Sequence, residues 1–309
     1  MRNRRSGLLA LAVAMAGMMV MAAPAGAGQA SGQTPGQKSG LNFAPLGKQA
    51  MAVERSLGAR VGVAVLDTAS GQVWEYRGTE RFPLNSTFKA LACGVLLEKA
   101  QRQEADLAQT LPVEAAKLVS YSPVTEKRAG TAMSLTDLCA AAMTYSDNTA
   151  ANLVLQAIGG PGGLTAALRR IGDPVTRIDR WEPEMNGATP GDLRDTTTPL
   201  AMLRTLQALA LGPVLGDPAG AQFRQWLVDN QVSGPLLRAG LPADWRVGDR
   251  TGAGGHGSRS VVAVVWPPQR SPLVITAYLT GTKADIDRRN AALAGLGQTL
   301  AQVVAAGSR

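Results

Sequence analysis

Histidine is nearly absent from this sequence: His256 is the single one in 309 residues. A Ser-His-Asp hydrolase would have to use it as its base. Its setting, Gly254-Gly255-His256-Gly257, reads instead as an exposed glycine-rich loop. Cysteine is scarce too, with only Cys93 and Cys139, both in apolar helical stretches. One histidine and two such cysteines leave too few ligands for a metallo-hydrolase site, so no metal and no cofactor are expected. Blocks of Lys or Arg are missing. The formal charge is +8, and setting aside Arg2, Arg4 and Arg5 near the start lowers it to +5, which does not suggest nucleic-acid binding. After the first 27 residues no apolar run is long enough to span a membrane.

The first 27 residues have the form of an export signal. Arg2, Arg4 and Arg5 make a basic start, Gly7 to Ala23 is apolar, and Ala25-Gly26-Ala27 is a small-residue cleavage site. A general or a twin-arginine route fits the start, and no cysteine near the cleavage site suggests a lipid anchor. The expected location is the periplasm, with release to the medium as the other outcome, and no membrane attachment after cleavage. In such an oxidising compartment Cys93 and Cys139 either pair or remain two buried thiols. Residues 28–40, rich in Gly, Gln and Ser, read as a flexible leader.

Leu41 to Leu57 has helical spacing. Arg60 to Asp67 alternates around Val61, Val63 and Val65, and after Ala69-Ser70-Gly71 the chain returns over Gln72 to Tyr76, giving an antiparallel hairpin. From Ser86 to about Leu227 the pattern is almost wholly helical. Trp245–Asp249, Ser258–Trp266 and Leu273–Gly281 read as three more strands, and Asp285–Ala306 as a final helix. Strands near both ends with helices between predict an α/β fold: an antiparallel sheet flanked by helices, built from 41–80 and 228–309, and an all-helical lobe over 81–227.

Four stretches carry chemistry. In Ser86-Thr87-Phe88-Lys89, at the start of a helix, positions i and i+3 share a face and bring the lysine amine beside the serine hydroxyl. A serine hydroxyl is a weak nucleophile until a base takes its proton, and a helix N-terminus favours developing negative charge. Taken alone, the same pattern describes a capping serine and a surface lysine. Ser146-Asp147-Asn148 offers a second hydroxyl and an amide, or simply turn chemistry. Arg180-Trp181-Glu182-Pro183-Glu184-Met185-Asn186 leads into a loop ending at Arg194-Asp195-Thr196-Thr197-Thr198-Pro199. There Glu182 and Asn186 could hold a water, and Arg180 with Asp195 could close the loop, which otherwise reads as a solvated acidic segment. Arg250-Thr251-Gly252-Ala253-Gly254-Gly255, between two strand readings, offers carboxylate binders and close backbone approach, or a plain hairpin connection.

The order and spacing of these pieces closely resemble the class A serine β-lactamases, whose motifs are S-x-x-K, S-D-N and K-T-G. The resemblance covers essentially the whole chain after the leader, including Tyr121, the Arg194–Pro199 segment, Arg259 and the Arg289-Asn290 pair. It implies the serine β-lactamase/transpeptidase-like fold, with the active site between the two lobes. It also implies roles: Ser86 as acylated nucleophile; Lys89, or Glu182 through a water, as acylation base; the N–H groups of Ser86 and Ala253 as oxyanion hole; Ser146 as proton relay to the leaving nitrogen. Glu182 and Asn186 would hold the hydrolytic water, Asn148 would bind the substrate side-chain amide, and Tyr121 would line the entrance. Arg250, Thr251 and Arg259 would take the substrate carboxylate. The family also implies a cis Glu182–Pro183 bond and a Cys93–Cys139 disulfide.

One departure stands out: the third motif begins with Arg250 where lysine is usual, as in the carbenicillin-hydrolysing subgroup. The implied function is a penicillinase that accepts carboxy-penicillins and confers antibiotic resistance. Asn85 before the nucleophile, where carbapenem-hydrolysing members often carry a disulfide-forming cysteine, argues against carbapenem hydrolysis. Two competitors share the serine chemistry. A penicillin-binding peptidase lacks the loop of Glu182 and Asn186, and a non-hydrolysing β-lactam sensor would need a membrane span. The expected partner is a small-molecule β-lactam, and nothing in the sequence calls for more than a monomer.

Overall fold

The computed structural model describes residues 40–307. The expected signal peptide and nearly all of the leader lie outside these residues. In chain order the elements are α1 (Ala44–Leu57), β1 (Arg60–Asp67), β2 (Val73–Tyr76), β3 (Phe82–Pro83), α2 (Phe88–Gln101), β4 (Thr110–Pro112), β5 (Ala132–Ser134), α3 (Leu135–Thr144), α4 (Asn148–Ala157) and α5 (Gly160–Ile171). They continue with β6 (Thr196–Thr197), α6 (Pro199–Ala210), α7 (Ala219–Val228), β7 (Arg246–Ala253), β8 (Arg259–Trp266), β9 (Leu273–Thr280) and α8 (Ile286–Gly307). Among these residues no helix is long and apolar enough to cross a membrane.

Strands from the two ends of the chain form one antiparallel sheet in the order β2-β1-β9-β8-β7. Successive side chains on a strand point to opposite faces, and here both faces are covered. Val61, Val63 and Val65 of β1, Val261, Ala263 and Val265 of β8, and Leu273, Ile275 and Ala277 of β9 share one core with Leu46 and Ala50 of α1 and Leu293, Leu296 and Leu300 of α8. The intervening Ala64, Val262, Val264, Val274 and Tyr278 join the second core, with α2 to α7. Strands buried on both sides read as apolar runs, as Val261–Val265 does.

α2 is the centre of the second core: every residue from Phe88 to Leu97 is buried. A helix that is apolar all round belongs in the interior, and Lys89 is carried there by its neighbours. The Cys93–Cys139 disulfide joins α2 to α3. Closing a 46-residue loop contributes about 4 kcal/mol in the chain-entropy description.

Two features differ from the sequence reading. The span expected to be all helical carries β3 to β6, which form the short pairs β3–β6 and β4–β5. Pairs of two or three residues are too short to show a period. The segment Arg250–Ala253 is not a connection between strands but the second half of β7, paired through Ala253 with Arg259 of β8. Thr251 and Gly252 look like punctuation in the sequence. On an edge strand they are tolerated because one neighbour suffices, and the other row of N–H and C=O groups faces the cleft.

Candidate active site

The nucleophile candidate sits in a short 3-10 turn, Asn85–Thr87, that runs into α2. That places Lys89 in the first turn of α2, where its amine donates to Ser86 Oγ at 3.0 Å. The amine also donates to the backbone oxygen of Ser146 at 2.8 Å, to Ser146 Oγ at 3.1 Å and to Asn148 Oδ1 at 2.6 Å. It forms an ion pair with Glu182 Oε1 at 3.2 Å, both side chains being fully buried. The Ser86 hydroxyl in turn donates to Glu182 Oε1 at 3.3 Å. Burial holds the Lys89 amine down to about 8. Glu182 opposes this, and the Arg250 charge adds to it. An amine near 8 can give up its proton at working pH, which an exposed lysine cannot.

Ser146 and Asn148 come from the link between α3 and α4. Asp147 caps α4, accepting from Ala150 N at 2.8 Å. Its carboxylate also accepts from Val124 N and Thr125 N, both at 2.9 Å, and from Thr125 Oγ1 at 2.8 Å. With the aspartate committed to the fold, Ser146 and Asn148 are left facing Lys89. Ser146 has φ +63, a left-handed backbone that turns its side chain toward the cleft.

Glu182 is held from behind. Asn152 of α4 grips its backbone twice, accepting from Glu182 N at 3.0 Å and donating to Glu182 O at 2.9 Å. The Glu182–Pro183 peptide is cis. Asn186, in the 3-10 turn Glu184–Gly187, donates its amide to Glu182 Oε2. Its Oδ1 is buried without a protein partner. The loop closes at its base through Asp195. One carboxylate oxygen accepts from Asp179 N at 2.7 Å and Arg180 N at 3.0 Å, while the other pairs with Arg180 Nε at 2.5 Å. We expect Asp195→Ala to cost about 2 kcal/mol, below the range for fully buried pairs because Arg180 is partly exposed. Thermal unfolding checks the loss, and faster amide exchange over residues 179–195 would locate it in the loop.

Across the cleft, β7 supplies Arg250, Thr251 and Ala253. The guanidinium of Arg250 is fully buried and contacts Asn230 Oδ1 at 3.3 Å. The neighbouring carboxylate, Asp249, is taken by Arg238, with Nη2 to Oδ1 at 2.9 Å, and by the amide of Asn230 at 3.0 Å. Arg259 donates to Asn290 Oδ1 at 2.8 Å and to Gly252 O at 2.9 Å. Burial lowers both guanidiniums to about 10. Arg259 adds to the effect on Arg250, and Arg289 to that on Arg259. Two cations held in a dry wall, neither paired with a carboxylate among the described residues, suit an anionic ligand.

The cleft between these walls has a volume of about 540 Å3. Ser86, Tyr121, Ser146, Asn148, Asn186, Arg250, Thr251, Ala253 and Arg259 line it, with Lys89 and Glu182 directly behind. Tyr121, with φ +61, stands exposed at its mouth. Sequence reasoning missed Asn152 and Asn230, since single asparagines in a helix or loop carry no periodic or motif signal. Ser120, Val232 and Ile286 also line the cleft and were not foreseen. No group of three or more His, Cys, Asp or Glu among the described residues could hold a metal ion. The arrangement suits attack by an activated serine on a small acyl substrate that carries a negative charge.

Comparison with known proteins agrees. The sequence model of the beta-lactamase enzyme family matches residues 45–304. The chain is 50% identical to β-lactamase AER-1 of Aeromonas hydrophila over 253 residues, 82% of this chain and 83% of the relative. It is 47% identical to β-lactamase PSE-4 of Pseudomonas aeruginosa over 271 residues, 88% and 94% of the two chains. Among solved structures, an ancestral class A β-lactamase superposes with a TM-score of 0.82 at 53% identity, covering 83% of this chain and 99% of that one.

Proposed function

The chain belongs to the class A serine β-lactamases, hydrolases that open β-lactam rings, and we propose that it does so through an acyl-enzyme on Ser86 that Glu182 then hydrolyses. The observation that carries this reading is the buried triangle of Ser86, Lys89 and Glu182, with separations of 3.0, 3.2 and 3.3 Å. Ser86 Oγ attacks the lactam carbonyl, and its proton passes to Lys89 or toward Glu182, both within reach. The N–H groups of Ser86 and Ala253 stabilise the oxyanion. The C–N bond breaks as Ser146, fed by Lys89, hands a proton to the nitrogen. Glu182 then takes a proton from a water held with Asn186 Oδ1, and the resulting hydroxide displaces Ser86.

The remaining residues orient the substrate. Asn148 meets the side-chain amide, Tyr121 flanks the entrance, and Thr251 with Arg250 and Arg259 takes the ring carboxylate. Because Arg250 offers a fork and not a point charge, we read the enzyme as a penicillinase that also accepts carboxy-penicillins. In this reading it acts as a periplasmic monomer after removal of residues 1–27, and 81–227 is the lobe that faces the lobe of 41–80 and 228–309 across the cleft.

A time course with many equivalents of benzylpenicillin tests hydrolysis. Continuous turnover supports it, whereas a stop at one equivalent points to a penicillin-binding peptidase or a sensor. Comparable turnover of carbenicillin is expected, and a large deficit would sink the carboxy-penicillin reading. Arg250→Lys should lower carbenicillin turnover roughly tenfold relative to benzylpenicillin, the effect of losing one charge-assisted hydrogen bond.

A further inference from the structure

Asn85 precedes the nucleophile, is fully buried and has φ +46, a backbone setting that a non-glycine residue holds only under constraint from its surroundings. Its side chain crosses to the other wall of the cleft. Nδ2 lies 3.1 Å from the hydroxyl of Ser258, 173 residues away and also fully buried. That hydroxyl lies 3.4 Å from Asn85 Oδ1, close enough for one further weak contact.

Ser258 closes the turn between β7 and β8 and immediately precedes Arg259. Gly254 N donates to Ser258 O at 3.3 Å, and Ser258 N to Gly255 O at 3.0 Å. The glycines on either side of Ala253 make room for Asn85. A Cβ on Gly252 would stand 2.8 Å from Asn85 Cβ and 3.0 Å from Ser86 N, and one on Gly254 would stand 2.2 Å from Asn85 Oδ1. The same turn reaches the Glu182 loop, since Gly255 N donates to Asn186 O at 2.8 Å. Asn85 is thus wedged between the two backbone segments whose N–H groups serve as the oxyanion hole.

We propose that the Asn85–Ser258 hydrogen bond is the brace that sets the separation of the Ser86 and Ala253 N–H groups, making Asn85 and Ser258 positioning residues for the oxyanion. The proposal rests on the oxyanion-hole assignment made above. Donors aimed at developing charge lose much of their effect when displaced by a fraction of an ångström. A loosened brace therefore weakens transition-state binding more than substrate binding. The loss belongs in kcat rather than in KM, provided acyl transfer limits turnover.

The test uses the full chain with Asn85→Ala, Ser258→Ala and the double variant. Kinetics with benzylpenicillin are paired with inhibition by an arylboronic acid, whose tetrahedral adduct on Ser86 puts a boron-bound oxygen in the hole. Each single variant is expected to lower kcat and weaken boronate binding about tenfold, with KM within about twofold. The double variant should be no worse than the weaker single, because one bond is lost only once. A lowered thermal midpoint with unchanged kcat and boronate affinity would reduce the pair to packing and overturn the proposal, as would additive losses. If Asn85→Ala does not fold, Ser258→Ala, which removes one hydroxyl, still decides between these outcomes. Failure of the wild type to turn over benzylpenicillin would overturn the function itself, a result separate from either.

Discussion

A Glu182→Ala variant is expected to consume about one equivalent of benzylpenicillin and then stop, with the opened drug attached to Ser86. Oε1 of Glu182 faces Ser86 and Lys89, Oε2 faces the Asn186 amide, and the backbone is clamped at both polar groups by Asn152. A base so fixed contributes roughly 10²–10⁴ to a proton transfer, and deacylation should slow by about 10³ or more. Acylation survives for an electrostatic reason. The Glu182 carboxylate is the main influence raising the Lys89 amine, which burial already lowers to about 8. Removing it lowers that amine further, so more of it is neutral at pH 7 and able to accept the Ser86 proton. The rising limb of the acylation rate should therefore move to lower pH in the variant. Mass spectrometry of the Ser86 peptide after mixing reads the outcome. Steady multiple turnover would remove Glu182 from deacylation, and an unlabelled Ser86 would make Glu182 the acylation base as well.

Much of this site is legible because its pieces are compact in sequence. Ser86 and Lys89 share one helical turn, and Ser146 and Asn148 span three residues. The strands Arg60–Asp67 and Leu273–Thr280 announce themselves by apolar content, and the structure keeps them within a residue of where the pattern sets them. What the sequence hides is convergence. Asn152 meets Glu182 from 30 residues away and Asn85 meets Ser258 from 173, and an asparagine that grips a backbone looks like any other. Arg250–Ala253 reads as a turn because Thr and Gly are weak strand formers, yet pairing with β8 carries the strand through them. The burial of Lys89 follows only once α2 is known to be enclosed on every side.

Lys89→Met tests the other half of the triangle and should fail one step earlier, without acylating Ser86. Methionine is close to lysine in length and packs in an apolar helix, so the change removes mainly the charge and the donors. Those donors hold Ser86, Ser146 and Asn148 in one cluster. A loss of roughly 10³ in single-turnover acylation is expected, the size of a lost general base. The cost to stability is unequal between the two variants. Glu182→Ala leaves an amine that can shed its proton, since burial already holds it near 8. Lys89→Met leaves a buried carboxylate facing an apolar side chain, and breaking a buried pair in this way costs about 3–5 kcal/mol. At 2–4 °C per kcal/mol for a domain of this size, its thermal midpoint should fall by roughly 5–15 °C, more than that of Glu182→Ala. The two variants thus separate along both axes. One acylates and keeps most of its stability; the other does neither. Acylation of Lys89→Met at the wild-type rate would show that Ser86 is activated by Glu182 alone.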